Sequence, residues 1–204
     1  MLKNIAYGFA AGICISLGGT VFLNCDNRIA GSILFAVALT CICRRGYYLF
    51  TGKVGFLAES CQKDDLALVL GCLVGNTLAT VAGGLLIGYA VPNCAAVAET
   101  LCSGKLGQAA AQTFIRAFFC GTLMYLAVSI YRDKKSPDGI YYCVPVFILS
   151  GFEHSIADMF YFAASGIVSL AAFKFLWLVI LGNAVGGMLL PALSLVGRKE
   201  KVHE

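Results

Sequence analysis

Charge is scarce in this sequence. Only 13% of its 204 residues are Asp, Glu, Lys or Arg, against about 25% in ordinary globular proteins, while 59% are hydrophobic. A soluble disulfide scaffold, a disordered chain and a basic nucleic-acid-binding domain are excluded, because none of them leaves so much apolar surface without lipid as a solvent. The net charge of +4 is explained by basic residues near membrane surfaces and needs no acidic partner.

Ligand and nucleotide motifs are also missing. The ten cysteines stand singly apart from Cys41 and Cys43, and no CxxC pair or Cys/His ligand spacing occurs, so we expect buried thiols and no metal site. A disulfide between Cys94 and Cys102, in one predicted outer loop, is left open. The chain has no phosphate-binding loop or nucleotide motif, so we expect neither an energy-driven pump nor a cofactor.

What the sequence does contain is a series of apolar runs, each near the roughly 20 residues that a helix needs to cross a bilayer. Three runs are nearly uncharged, and three are interrupted by charged residues or glycines. The clean runs are residues 5–23, 66–98 and 175–197, and the interrupted ones are 29–58, 106–131 and 140–162. We therefore predict an all-α membrane protein with six transmembrane helices, the second and fifth broken. Pro92 and Asn93 are interpreted as the exit of the third span into a loop.

The distribution of Lys and Arg over the short loops predicts the orientation. With both termini in the cytoplasm, more positive charges lie inside than outside, as the positive-inside rule requires. The inside set is Lys3, Lys63, Arg132, Lys134, Lys135, Arg198, Lys199 and Lys201, and the outside set is Arg28, Lys105 and Lys174. The first run lacks a small-residue cleavage site and further spans follow it, so we expect a multi-pass plasma-membrane protein without a cleaved signal peptide.

Two segments repeat each other weakly, and each begins with glycine followed by asparagine. They start 107 positions apart, at Gly75, Asn76 and at Gly182, Asn183. The interrupted spans show a similar offset, of 103 positions from Thr51 to His154. Because a repeat of three helices reverses its orientation in the membrane, the pattern predicts one channel domain of two inverted halves, about residues 1–98 and 99–204. The small residues of these pairs are expected to let helices pack closely.

The densest group of ionisable residues inside a span is the segment SGFEHSIADM, residues 150–159. Such residues are costly in a membrane and are functional candidates by default. Two interpretations remain open: His154 only packs and hydrogen-bonds against a neighbouring helix, or it exchanges protons, since histidine titrates near neutral pH. Gly151 before the pair of Glu153 and His154, with Asp158 one turn later, favours the second interpretation.

The partner break is the segment GYYLFTGKVG, residues 46–55, whose three glycines allow an irregular loop. Inside a membrane such a loop is tolerated only where it lines a cavity or is buried in protein. Thr51, next to Gly52, then offers its hydroxyl and backbone N–H to a passing solute. A polar loop between two short surface helices is the alternative.

Together these segments resemble the formate/nitrite transporter family over nearly the whole chain. The resemblance rests on residues 49–52, 75–76, 152–159 and 182–187, of which the segment around the histidine is the specific signal. It implies a homopentamer of aquaporin-like six-helix protomers in the lipid bilayer. Each protomer would have its own pore for small monovalent anions such as formate, nitrite, hydrosulfide, acetate or lactate.

The resemblance also assigns roles. His154 corresponds to the family's central histidine, with Thr51 on the broken helix opposite it, and Lys105 corresponds to a vestibule lysine. Glu153 is expected to hold the other imidazole nitrogen or to tie its loop to a neighbouring helix, and Asp158 is a candidate second partner of the histidine. The narrow apolar rings fall at Leu49, Phe50 and Phe147.

The chain departs from the family pattern at three positions. Gly121 stands where the family usually has Asn near the histidine, Asp158 replaces an Asn, and Tyr48 replaces an acidic residue. The first span begins almost at residue 1, so we expect the family's amphipathic N-terminal segment to be missing or abbreviated.

An anion in a dry constriction poses an energetic problem. The idealised cost of moving a carboxylate-sized ion into a medium of low dielectric is of order 20 kcal/mol, and several kcal/mol remain after relaxation. Protonating a carboxylate of pKa about 3.9 at pH 7 costs only roughly 4 kcal/mol. We therefore expect Lys105 to attract anions that then cross with a proton, as neutral acids, while His154 either donates that proton or sets the local field.

Two other function classes compete with the anion channel. A pore for neutral solutes would use the same aromatic rings but would need neither His154 nor Lys105. An intramembrane enzyme would use His154 and Glu153 as acid and base, but the sequence offers no accompanying nucleophile or zinc-binding pair. We therefore expect a channel and no enzyme.

Overall fold

The computed structural model describes residues 1–60 and 62–200 of the chain, with side chains described as far as residue 196. Its regular elements in that part of the chain are all helical. They are α1 (Leu2–Asn24), α2 (Arg28–Arg45), α3 (Phe50–Lys53), a 3-10 helix (Val54–Ala58), α4 (Lys63–Ala90), α5 (Pro92–Leu106), α6 (Ala110–Lys134), α7 (Asp138–Leu149), α8 (Ser155–Ser165) and α9 (Leu170–Glu200). Lys201 of the predicted inside set lies outside the described residues, as do the side chains of Arg198 and Lys199.

Four helices are long and apolar enough to cross a membrane: α1, α4, α6 and α9. A fifth candidate is α2 together with the segment Phe50–Ala58, which is bent by 59° at the break after α2. Helix α7 is apolar but only 12 residues long and is followed by α8 after a second break. The predicted all-α membrane class is confirmed, with four or five apolar spans.

Short-range sequence signals explain where several helices begin and end. Helix α2 begins after Asn27, whose side-chain oxygen accepts hydrogen bonds from two backbone N–H groups of the first turn, and ends at Gly46, which has a φ of 69°. Gly151 has a φ of 67° and turns the chain after α7. Pro92 is the first residue of α5, a position where its missing N–H costs nothing. The prediction that Pro92 and Asn93 lead into a loop is therefore wrong.

The bundle is built from two tightly packed helix pairs, α1 with α4 and α6 with α9. In each pair a glycine brings the backbones close: a Cβ atom on Gly75 would collide with the carbonyl of Ile5, and one on Gly186 with that of Phe118. Large apolar side chains on the outside of the bundle are exposed, as on Leu17, Leu78 and Leu181. An apolar exterior around buried polar groups is the arrangement of a protein dissolved in lipid.

Candidate functional site

The two breaks meet inside the bundle. One separates α2 from α3 and places Thr51 in the first turn of α3, and the other separates α7 from α8 and ends at His154. Thr51 Oγ1 lies 2.8 Å from His154 Nε2, and both side chains are buried. This hydrogen bond links residues 103 positions apart and joins the two broken helices at one point.

Backbone geometry fixes the protonation of the histidine. His154 is the N-cap of α8, and its Nδ1 accepts a hydrogen bond of 3.1 Å from the backbone N–H of Ala157. A backbone amide only donates, so Nδ1 carries no proton and the neutral ring holds its proton on Nε2. The Nε2–H therefore donates to the Thr51 hydroxyl. Phe147 stacks against the imidazole with 5.5 Å between ring centroids.

A buried asparagine holds the first break. The side-chain oxygen of Asn76 on α4 accepts a hydrogen bond of 2.8 Å from the N–H of Phe50, and its Nδ2 donates to the carbonyls of Gly8 and Tyr48, at 2.7 and 2.9 Å. One side chain therefore joins α1, α4 and both sides of the break. It satisfies backbone groups that a broken helix leaves without partners.

The second break is held in the same way by Asn183 on α9. Its side-chain oxygen accepts a hydrogen bond of 2.9 Å from the N–H of Ser155, and its Nδ2 donates to the carbonyls of Ala117 and Glu153, at 2.8 and 2.9 Å. The repeated Gly-Asn pair in the sequence thus supplies more than close helix packing: its asparagines support both breaks.

A charged cluster lies beside the histidine. Lys105, at the end of α5, donates to Glu153 and lies 3.0 Å from Asp158 Oδ1, so one ammonium faces two carboxylates. Gln108 adds a 2.8 Å hydrogen bond to Glu153. Glu153 therefore ties its loop to α5 and to the residues that follow it. It does not hold the second imidazole nitrogen, which the Ala157 amide occupies, and Asp158 pairs with Lys105 and not with the histidine.

Sequence analysis missed Gln108 and the Ala157 amide. Gln108 lies in the connection between α5 and α6, where no periodic pattern marks it. The amide of Ala157 is set by the helix start at residue 155, and a histidine is not among the residues favoured as N-caps. One signal could have indicated this contact: Ala157 lies three residues after His154, the spacing at which an N-cap side chain accepts a hydrogen bond from a backbone amide.

Two cavities flank the bonded pair of Thr51 and His154. The smaller, of about 70 Å³, is lined by His154, Phe147, Lys105 and Asp158 among others. The larger, of about 190 Å³, is lined by residues that include Leu49, Gly52, Lys53, Arg132 and Lys135. The smaller cavity is lined by Arg28, the first residue of α2, and the larger by Gly46, which directly follows α2. The two cavities therefore lie at opposite ends of this helix, which is about 27 Å long.

The residues between the cavities are apolar and packed. Leu49, Phe50 and Phe147 are each at most 4% exposed, and Leu49 and Phe147 line different cavities. Phe147 stacks on His154, Leu49 and Phe50 directly precede Thr51 in the chain, and Leu49 and Phe147 line opposite cavities. An ion between the cavities would leave water, which is the costly step for an anion.

Two further predicted positions are placed by the structure. Gly121 lies against the backbone of Asn183, where any Cβ would collide with the Asn183 carbonyl, so a larger residue does not fit. Cys94 and Cys102 are both buried and free, on the same helix α5. Among the residues that the structure describes, no group of His, Cys, Asp and Glu side chains is arranged to hold a metal ion.

Comparison with known proteins gives one consistent result. The formate/nitrite transporter family model matches residues 1–197. The nitrite transporter NirC of Salmonella typhimurium (strain LT2) is 27% identical over 212 residues, covering 90% of this chain and 78% of NirC. A solved FNT family ion channel superposes with a TM-score of 0.75 at 25% identity, covering 97% of this chain and 88% of that one. A pentameric formate channel with formate bound gives a TM-score of 0.70 at 22% identity, with 98% and 96% covered.

Proposed function

The chain belongs to the formate/nitrite transporter family, a family of multi-pass membrane transporters, and from this premise we propose that it is a channel for small monovalent anions of weak acids, such as formate, nitrite or hydrosulfide. The observation that carries the proposal is the buried hydrogen bond between Thr51 and His154, which lies between two cavities at opposite ends of α2. A solute moving from one cavity to the other passes this pair.

The architecture that we propose is six spans in two inverted halves, residues about 1–98 and 99–204, forming one channel domain. The matching hydrogen bonds of Asn76 and Asn183 support it, because each asparagine joins a long helix, its partner helix and both sides of a break. Helices α2 and α3 would form one broken span and α7 and α8 the other. The exposed apolar exterior and the likeness to a pentameric channel support a homopentamer in the plasma membrane. The excess of Lys and Arg in the predicted inside loops supports both termini in the cytoplasm.

The anion crosses with a proton. The Thr51–His154 region is enclosed by apolar and aromatic side chains, and an unpaired anion there would lose its hydration without a compensating charge. Protonation to the neutral acid removes most of that penalty for roughly 4 kcal/mol at pH 7. The acid therefore forms in a cavity and passes the constriction uncharged.

His154 acts as a hydrogen-bond donor and not as the source of the proton. Its Nδ1 is occupied by the Ala157 amide, so a charged imidazolium would have to break the N-cap of α8. The neutral imidazole is a far weaker acid than imidazolium, so donating its only ring proton is the more costly route. Water in the cavity supplies the proton, while Nε2–H and the Thr51 hydroxyl offer hydrogen bonds to the passing acid.

A liposome assay with stopped-flow detection tests this function. The wild-type protein is expected to move formate and nitrite with one proton each, read by an internal pH dye, and without generating a membrane potential. The His154→Ala variant is expected to lose most of the flux, because it removes the hydrogen-bond donor at the constriction, while the remaining flux stays coupled to a proton that water supplies. Electrogenic movement of formate with no accompanying proton would refute the neutral-acid step, and swelling with glycerol at a comparable rate would favour a neutral-solute pore.

A further inference from the structure

The two cavities differ in how their lysines are paired. In the smaller cavity Lys105 is already engaged, since its ammonium donates to Glu153 and also lies 3.0 Å from Asp158 Oδ1. Arg28 lines this cavity too, so the two cations Lys105 and Arg28 are matched there by the two buried carboxylates of Glu153 and Asp158. An anion entering that cavity meets a lysine whose field is largely compensated.

The larger cavity presents a different lysine. Lys53 lies two residues after Thr51, at the end of α3, and its ammonium sits over the Tyr48 ring at 5.4 Å from the centroid. Among the residues that the structure describes, no carboxylate lies within ion-pair distance of Lys53. In the part of the chain whose side chains are described, the lining of this cavity includes Arg132 and Lys135 but no acidic side chain. Arg132 is paired with Glu59 and Asp133, and Lys135 is exposed at the end of α6, so among the described residues that line this cavity Lys53 is the uncompensated cation nearest to Thr51 in the chain.

The two lysines therefore stand in unequal settings at equivalent breaks. The carbonyl of Tyr48 accepts a hydrogen bond from Asn76, and that of Glu153 accepts the equivalent bond from Asn183. Tyr48 and Glu153 are therefore counterparts in the two breaks. Five residues after Tyr48 the first break carries the positive Lys53, and five residues after Glu153 the second break carries the negative Asp158. One break thus carries an aromatic ring and a cation where the other carries two carboxylates.

We propose that Lys53 is the anion-capture residue of the pore, so that small monovalent anions load with higher apparent affinity from the cavity that it lines than from the cavity of Lys105. This rests on the proposed channel function. An unpaired ammonium beside Leu49 and Gly52 raises the local concentration of anions at the point where they are protonated and enter the constriction. With the predicted orientation, this cavity faces the cytoplasm, and the pore loads most readily from inside.

Anion capture by Lys53 differs from simple packing in its dependence on charge and on the side of the membrane. A lysine that only extends its stem over Tyr48 would contribute apolar contact, which methionine of similar length largely keeps. A capturing lysine acts through its charge, so its effect disappears with Lys53→Met, returns with Lys53→Arg and weakens as salt screens it. Capture also acts on one side of the membrane only, whereas damage to the fold lowers flux from both sides.

The experiment uses right-side-out and inside-out membrane vesicles from the same expressing cells, with initial uptake of radiolabelled formate at equal pH on both sides. We expect the half-saturating formate concentration to be lower in inside-out vesicles. Lys53→Met should raise it about three- to tenfold in inside-out vesicles alone. Lys53→Arg should stay near wild type, and so should Lys174→Met, which removes an exposed lysine that lines neither cavity.

Each outcome decides. An active wild type in which Lys53→Met changes neither orientation, or both equally, overturns the capture role and leaves the channel function standing. A wild type that moves no formate, nitrite or hydrosulfide overturns both. Should Lys53→Met fail to assemble, wild type alone is sufficient: raising ionic strength from about 0.01 M to about 0.15 M shortens the screening length from about 30 Å to about 8 Å. The half-saturating concentration should then rise more in inside-out vesicles, and an equal rise in both would refute the proposal.

Discussion

At the first break the carbonyl of Tyr48 accepts a hydrogen bond from Asn76, and at the second the carbonyl of Glu153 accepts the matching bond from Asn183. The following amides, of Phe50 and Ser155, donate to the same two asparagines. The two breaks thus have matching backbone hydrogen bonds to an asparagine. Their side chains differ: the first break carries a hydroxyl and an uncompensated lysine, and the second carries an imidazole and two carboxylates.

The comparison separates two requirements of a pore in lipid. A broken helix must satisfy its freed backbone groups internally, and one buried asparagine per break does this. The passage of an acid needs something else, namely unequal ends and a polar pair at the meeting point. Because the supporting asparagines lie on α4 and α9, outside the breaks themselves, the side chains of the breaks are free to differ.

The largest expected effect comes from removing this support. Asn76→Ala and Asn183→Ala should each destabilise the protein by about 3 kcal/mol, because each leaves a buried backbone amide without its acceptor and removes two hydrogen bonds to backbone carbonyls. For a chain of this size the melting temperature should fall by about 6–12 °C. Thermal unfolding in detergent, followed by size-exclusion chromatography after heating, measures it.

The control is Asn93→Ala, which should leave the melting temperature nearly unchanged, because the one side-chain hydrogen bond that Asn93 makes with a described residue is an exposed 3.4 Å contact with Asn24. Similar losses at residues 76 and 183 would support two equivalent breaks. A loss at one asparagine and none at the other would break the comparison, since the halves would then depend on different interactions.

The second effect tests the polar pair where the breaks meet. Thr51→Val keeps the shape of the side chain but leaves His154 Nε2–H without its 2.8 Å partner, in a buried site. Formate flux at saturation should fall about tenfold, equivalent to about 1.4 kcal/mol on the barrier. Thr51→Ser retains the hydroxyl and should keep most of the flux. Equal flux in both variants would show that the hydroxyl takes no part in passage.

Sequence reasoning located both breaks because glycines and charged residues interrupt otherwise apolar runs, at residues 46–55 and 150–159. It also found the repeated Gly-Asn pair at 75–76 and 182–183. It could not find which backbone groups the asparagines bind, since those bonded to Asn76 lie between 26 and 68 positions away. Such contacts are fixed by helix packing and have no short-range pattern.

Sequence patterns did not predict two features that depend on tertiary contacts, the start of α5 and the ion pairs of Lys105. Pro92 is an ordinary helix start, and the sequence alone read it as a loop because the preceding apolar run had already reached the length of a span. That Lys105 attracts anions stays a prediction, but its pairing with Glu153 and Asp158 could not be predicted from the sequence, because it arises from the packing of α5 against the second break. The charge that a cavity presents to an anion depends on which of its charged side chains form ion pairs, and these pairs are known only from the three-dimensional structure.

The smallest expected effect concerns the compensated lysine. Asp158→Asn leaves Lys105 facing Glu153 alone, so part of its positive charge becomes available to an entering anion. Asp158 Oδ2 has no hydrogen-bond partner among the described residues, so exchanging one oxygen for an amide nitrogen disturbs few existing contacts. The half-saturating formate concentration in right-side-out vesicles should fall about two- to threefold, with no change in inside-out vesicles.

Asp138→Asn is the matched control, since Asp138 is an exposed aspartate in the first turn of α7 that lines neither cavity. Combining Asp158→Asn with Lys53→Met should bring the two vesicle orientations close together, because the first change strengthens one mouth and the second weakens the other. A half-saturating concentration that rises with Asp158→Asn would mean that the aspartate orients Lys105 more than it screens it. The difference between the two mouths would then lie in the position of the lysines and not in their pairing.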